Sequence, residues 1–432
     1  MMSPCIRTLL LMVSICLLSA CSGGGGGDDS PSSPPGSSST DNGSSGDSGG
    51  SNGGDSGGSG NTGTTGLLPG DYVSVGNCVP FEGSENAELK IFFLNINDAP
   101  YFDELVNNAV YEQFQAIPPF SEYFSHLAFY QLDVGSGEDF NCKGTNQGLN
   151  GGDLLQCDDE KIHQEILAQC DVSDINGLIK VAFADSPNGG SAGEVIYVGS
   201  NSNLDQETVL EKQTNTVIHE VGHNFGLADF YGGGINKNGD AVEGWPSERS
   251  REWRNLDGPG CSKWCNSFKP ASEYTQSETS VCPTLTTRDQ CVSHNRLEDG
   301  DCTKDENGVY QCCAWSETPD DYFGSNCAPV WGTEDIGLDC EAGAGCFYGG
   351  AYGNNSWRPV KSWEDSIMYG PDDSTAFDSV SERELRKALT CCASSEDGTA
   401  ACEDFREEYA DFLANEQLWK QRLGSCGVGS AG

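Results

Sequence analysis

The chain has 432 residues, 66 of them acidic and 23 basic, for a formal net charge of −43. This balance excludes a phosphate-binding surface as the main function and makes nucleic acid an unexpected partner, because such affinity rests on Lys and Arg neutralising phosphates. It also argues against docking on anionic lipid through a polybasic patch, and it favours solubility and cationic partners.

The chain opens with a positive residue, Arg7, and an apolar run from Leu9 to Leu18. Such a run is too short to span a membrane and reads as a signal peptide over residues 1–20. The sequence Leu18-Ser19-Ala20-Cys21 resembles the bacterial lipoprotein lipobox. That resemblance implies that Cys21 becomes the lipidated first residue of the mature chain. It implies a bacterial cell-envelope location, at the outer membrane and facing periplasm or exterior. No later stretch reaches the 18 apolar residues of a transmembrane helix. Residues 21–66 are Gly/Ser/Asp-rich, and beyond the Cys they lack Lys and Arg. They bury too little apolar surface to offset ordering entropy, and read as a tether with a span of about 35–40 Å.

Order is predicted from Leu67. Residues 88–96 read as a buried strand, 101–116 as a helix, and 126–134 as a second strand. A helix over 159–170, capped by Asp158 or Asp159, precedes strands over 177–184 and 194–198. A further helix is predicted over 208–225. Strands alternating with helices indicate an α/β fold. We read 67–232 as an N-terminal catalytic subdomain, 233–350 as a cysteine-rich insertion, and 351–432 as a C-terminal subdomain with helices near 380–390 and 403–422.

The last predicted helix of the first subdomain carries His219-Glu220-Val221-Gly222-His223, followed by Gly226 and Asp229. Histidines four apart lie on one helical face, where both imidazoles can take a common metal. Glu220, beside the first ligand, is placed to accept a proton from a metal-activated water. Gly226 permits a sharp turn that brings Asp229 back as third ligand. Three protein ligands and one open position describe a catalytic Zn²⁺ site. His126, His163 and His294 are alternative third ligands by chemistry alone. Tyr231 and Tyr369 are candidate donors to an oxyanion.

This arrangement resembles the metzincin metallopeptidases, whose motif is His-Glu-x-x-His-x-x-Gly-x-x-His, with Asp as last ligand in some members such as the snapalysins. Asp365-Ser366-Ile367-Met368-Tyr369-Gly370 resembles the Met-turn of that group, with Met368 beneath the metal. Gly345-Cys346-Phe347-Tyr348-Gly349-Gly350, Trp357-Arg358-Pro359 and the Leu227-Ala228-Asp229 segment are most similar to the IgA-peptidase-like metallo-endopeptidases. Phe230 stands where that family has Glu. The resemblance implies a metzincin-like twisted mixed sheet with an active-site helix. It also implies a protein or peptide substrate paired along the sheet edge at Ala192–Val198.

Of 21 cysteines, Cys5, Cys16 and Cys21 belong to the leader and its end, leaving an even 18. In an oxidising compartment these read as up to nine disulfides, with even counts in the blocks 78–170, 261–346 and 391–426. Cys78 has the alternative of holding the metal before activation. Acidic turns at Asp299-Gly300-Asp301 and Asp305-Glu306-Asn307-Gly308 invite Ca²⁺, but no segment matches an EF-hand loop. The function expected is a membrane-anchored, zinc-dependent endopeptidase. The alternative is a noncatalytic, disulfide-rich adhesin on a metzincin-like scaffold.

Overall fold

The run Leu89-Lys90-Ile91-Phe92-Phe93-Leu94-Asn95 is apolar on both faces, which suits a strand covered from both sides. In the computed structural model it is β2, at the centre of a five-stranded sheet. The structure describes residues 77–408, except 84–86, 135–138, 146–153, 171, 173–174, 176, 188–189, 214, 231–252, 276–280, 296, 299–300, 303–311, 351–352, 372–373 and 393–399. The leader, Cys21 and the tether therefore lie outside the described residues.

The sheet contains β1 (Cys78–Gly83), β2 (Leu89–Asn95), β3 (Leu127–Asp133), β4 (Leu178–Asp185) and β5 (Ile196–Ser200), in the order β1-β3-β2-β4-β5. It is a mixed sheet. β1 runs antiparallel to β3, while β3, β2, β4 and β5 are mutually parallel. Register aligns Ile91 with Phe129 and Ile179, and Val181 with Ile196. The two-residue period of a strand then sorts the side chains. Ile91, Phe93, Phe129, Val181 and Val198 enter the larger core, while Phe92, Leu94, Leu132 and Ala182 enter a smaller one.

Helix α1 (Phe102–Asn108) continues as a π-helical turn over Ala109–Phe114, so the predicted single helix changes pitch midway. Helix α2 (Asp159–Gln169) starts where predicted: the Asp158 side chain accepts from Lys161 N at 3.3 Å. The predicted helix over 208–225 is instead two, α3 (Gln206–Lys212) and α4 (Thr216–Asn224). The break falls between Gln213 and Asn215, whose polar side chains compete for backbone partners. Gln213 Nε2 donates to Gly199 O at 2.9 Å, and Asn215 Nδ2 donates to Ser374 O at 2.6 Å.

In the cysteine-rich region, β6 (Cys265–Phe268) pairs with β7 (Gly337–Cys340), and α5 (Arg288–His294) packs against Cys313–Trp315. A hairpin of β8 (Phe347–Gly350) and β9 (Gly353–Arg358) leads toward the predicted Met-turn. Among the described residues, seven disulfides join Cys78–Cys170, Cys142–Cys157, Cys261–Cys346, Cys265–Cys340, Cys282–Cys313, Cys291–Cys327 and Cys391–Cys402. Every one stays inside its own sequence block. The first answers the alternative raised for Cys78, whose sulfur is engaged. Arg358, fully buried, stacks 3.3 Å from the Trp331 ring and donates to the carbonyls of Tyr348, Gly349, Gly332 and Lys361. Its charge is thus spread over backbone dipoles between the hairpin and the following loop.

The last described elements are α6 (Ser379–Cys392) and α7 (Ala400–Glu408). Residues 409–422 of the last predicted helix lie outside the described residues. Leu385, Leu389 and Phe405 join the same core as Phe93, Phe120 and Met368. Glu384, 1% exposed, receives Arg254 at 3.2 Å, Arg383 at 2.7 Å and Lys387 at 3.4 Å. Burial pushes its pKa up, but these three cations outweigh it and hold it below the ordinary 4.5. A depressed carboxyl pKa stabilises above the unfolded-state value, and that stability is lost as pH falls through the folded value. Glu384→Gln is therefore expected to cost about 3 kcal/mol at about pH 7. The difference from wild type shrinks as pH falls below the ordinary carboxylate range, as urea unfolding across pH will show.

Candidate metal centre

All nine residues of α4 are buried, so its histidines are held within the protein rather than on a solvated face. The helix ends at Gly226, whose φ of +84° is a left-handed conformation open to glycine. Leu227 N donates back to Gly222 O at 3.2 Å and Gly226 N to His223 O at 3.0 Å, closing the helix end as the chain reverses. Asp229 is thereby brought over the helix face that carries His219 and His223.

The imidazoles are fixed from behind. His219 Nδ1 lies 2.8 Å from Ile367 O, and His223 Nδ1 lies 2.8 Å from Leu227 O. A carbonyl oxygen only accepts, so each Nδ1 carries a proton, and each Nε2 is left to donate to Asp229 when protonated or to take a cation when not. Both Nε2 atoms point at Asp229: Oδ1 is 3.1 Å from His219 Nε2 and 3.4 Å from His223 Nε2. One donor atom from each of the three residues falls within 4.8 Å of the others, the one such group among the described residues. A tetrahedral zinc with ligands at 2.0–2.2 Å places neighbouring ligand atoms about 3.3 Å apart. The two measured separations fit that edge, and two imidazole nitrogens with one carboxylate oxygen fit zinc in kind.

Charge points the same way. Burial disfavours a charged His223, but Asp229, Glu220 and the Leu227 carbonyl outweigh it and raise its pKa to about 9. Burial works against the Asp229 carboxylate too, yet His223 and His219 hold it well below the usual range. The pocket thus calls for positive charge, from a proton or from a cation. Glu220 Oε2 lies 3.9 Å from His223 Nε2. Its other oxygen is packed against the backbone of Gly190: a Cβ built there would lie 2.8 Å from Glu220 Oε1.

Known protein families include none that matches this chain, and no characterised protein resembles it closely enough to count as a relative.

Met368 is completely buried under the helix, and a Cβ on Gly222 would lie 2.9 Å from its Sδ. The same turn supplies the Ile367 carbonyl that orients His219, while Met368 O accepts from Phe230 N at 2.9 Å. Phe230 is fully buried. The other histidines are elsewhere. His126 pairs with Glu88 at 3.1 Å, His163 is buried on α2 against the opposite sheet face, and His294 ends α5 in solvent. Tyr369 packs its ring on Trp331, and Tyr231 lies outside the described residues. So do Asp299, Gly300 and Asp305–Gly308; Asp301 begins a two-residue strand.

Sequence reading missed Asn255. Its Oδ1 accepts from Ala228 N at 2.7 Å and its Nδ2 donates to Ala228 O at 2.8 Å, clamping the peptide just before Asp229. Gly190 was missed as well. Both act through tertiary approach, which leaves no local pattern. The predicted edge strand also needs correction. β5 starts at Ile196, and its outer rim is already paired where Ser191 N and O bond Tyr197 O and N at 3.0 and 2.9 Å. The outermost strand-like segment is therefore Gly190–Ser191, beside Glu220.

The Gly222 packing gives a signed test. In open helix a Gly→Ala change stabilises by up to about 1 kcal/mol, but here the new methyl meets Met368. Gly222→Ala is expected to destabilise by about 1–3 kcal/mol. In a Met368→Ala background the same change becomes neutral or stabilising, which urea unfolding of the four proteins measures.

Proposed function

We propose that this chain is a zinc-dependent endopeptidase of metzincin type, tethered to a bacterial envelope membrane through lipidated Cys21. The observation that carries the reading is the convergence of His219 Nε2, His223 Nε2 and Asp229 Oδ1 beside the Glu220 carboxylate. Met368 packed beneath the helix supports the metzincin assignment. A binding module on the same scaffold has no use for a carboxylate held beside the ligands. The tether, the lipobox and the disulfides support action outside the cytoplasm.

His219, His223 and Asp229 would hold the ion, which supplies Lewis acidity toward a scissile carbonyl and a water of lowered pKa. Glu220 takes the proton of the attacking water on its carboxylate and delivers it to the leaving amine. Gly190 leaves room for that carboxylate, and the sheet edge beside it would take an extended peptide by strand addition. Main-chain pairing of this kind selects for extended conformation, with specificity left to side-chain pockets.

Glu220→Gln is expected to retain one zinc per chain and to lose cleavage of a mixed peptide library by about 10²–10⁴-fold. A folded wild type with neither zinc nor cleavage, or a Glu220→Gln variant that still cleaves, overturns the reading. Gly190→Ala drives a methyl into the Glu220 carboxylate. Its kcat is expected to fall by at least about 10-fold at unchanged zinc content, because misplacing a catalytic group by about 1 Å is costly.

A further inference from the structure

We propose that the first turn of α6 positions all three ligands of this site, with Asp378 and Ser381 as positioning residues that touch neither metal nor substrate. The proposal rests on the metal-site reading above. Two hydrogen-bonded routes leave this one turn and end on the two sides of the centre.

The first route begins at Asp378. Its Oδ1 accepts from Val380 N and Ser381 N, both at 3.0 Å, so the carboxylate is fixed to the helix start. Its Oδ2 accepts from Ser366 Oγ at 2.8 Å. That hydroxyl in turn accepts from Met368 N at 3.2 Å and Asp378 N at 3.3 Å. The peptide between Ser366 and Met368 is thus pinned at both ends, and the residue between them is Ile367, whose carbonyl orients His219. Met368 O then holds Phe230 N, the residue after Asp229.

The second route begins at Ser381, whose Oγ accepts from Asn255 Nδ2 at 3.3 Å. Asn255 clamps both backbone groups of Ala228. On one side of Ala228 is Leu227, whose carbonyl orients His223; on the other is Asp229 itself. Arg254, next to Asn255, is tied to the same helix through Glu384 and reaches Gly226 O through its N–H at 3.2 Å.

Asp378, Ser381, Ser366 and Asn255 are all nearly or fully buried. Buried polar groups cost stability unless completely hydrogen-bonded, and a fully bonded network specifies one arrangement more sharply than apolar packing does. Here that arrangement is the aim of two Nδ1–H groups and one carboxylate. Such partners behind metal ligands tune affinity by about 10–100-fold.

The test uses the mature full-length chain, with cobalt(II) as probe. Asp378→Asn and Ser381→Ala are compared with wild type by chelator competition, by the visible ligand-field spectrum, and by melting of the metal-free protein. Arg386→Gln is the control, because Arg386 lies on the same helix but pairs outward with Glu122 at 2.6 Å. Both positioning variants are expected to bind cobalt about 10–100-fold more weakly with shifted bands. Arg386→Gln keeps wild-type affinity and bands, and Ser381→Thr restores both. Folded positioning variants with wild-type affinity and spectrum overturn the proposal and leave the metal site standing. A wild type that takes up no cobalt overturns the metal site and this proposal with it. If Asp378→Asn does not fold, Ser381→Ala, which removes a hydroxyl and no charge, decides.

Discussion

Everything at this centre depends on two hydrogen bonds that point away from it. His219 and His223 each give the Nδ1 proton to a backbone carbonyl, and so each turns its Nε2 toward Asp229. An imidazole hydrogen-bonded to water would rotate and exchange tautomers. One bonded to a buried carbonyl does neither, because breaking the bond strands an acceptor away from solvent. The fold's task is therefore to hold two peptide groups still, those of Ile367 and Leu227. Most of the tertiary structure around α4 serves that end.

The two peptides are held in different ways. Leu227 is local: it follows the glycine-closed end of α4 and is braced by Asn255 across the chain reversal. Ile367 is remote in sequence and reaches the helix because the C-terminal part of the chain packs into the same core as the sheet. Aromatic rings make that connection. Phe120 meets Phe114 at 5.3 Å, Phe225 at 5.9 Å and Phe377 at 6.2 Å, joining the π-helical turn, the end of α4 and the loop before α6. Dense packing of this kind converts small side-chain changes into shifts of the attached backbone.

The legible parts of the sequence were those whose cause is local. The strand at Leu89–Asn95 and the cap at Asp158 follow from apolar runs and side-chain chemistry within a few residues. Parity allowed the pairing of cysteines within blocks without requiring it. The His219/His223/Asp229 grouping was legible because helical period and one glycine place all three. What was not legible depends on contacts made across the fold. The break between α3 and α4 requires Asn215 to find the carbonyl of Ser374, 159 residues away. The strand start at Ile196 reflects Ser191 folding back on Tyr197. Asn255 and Gly190 carry no motif, and their roles exist because distant chain segments arrive beside them.

The segregation of the disulfides has a consequence for how the chain matures. Cys78 with Cys170 and Cys142 with Cys157 close the sheet-bearing region, and their four partners are complete once residue 170 has been delivered. The bridges of the 261–346 block use no cysteine from that first set. A chain delivered from its N-terminus into an oxidising space can thus finish one block before the next arrives. Eighteen cysteines beyond the leader present a very large number of possible pairings, but a chain that emerges from its N-terminus meets them in small groups. The His219/His223/Asp229 grouping waits longer, since α6, which supports it, lies well after it in the chain.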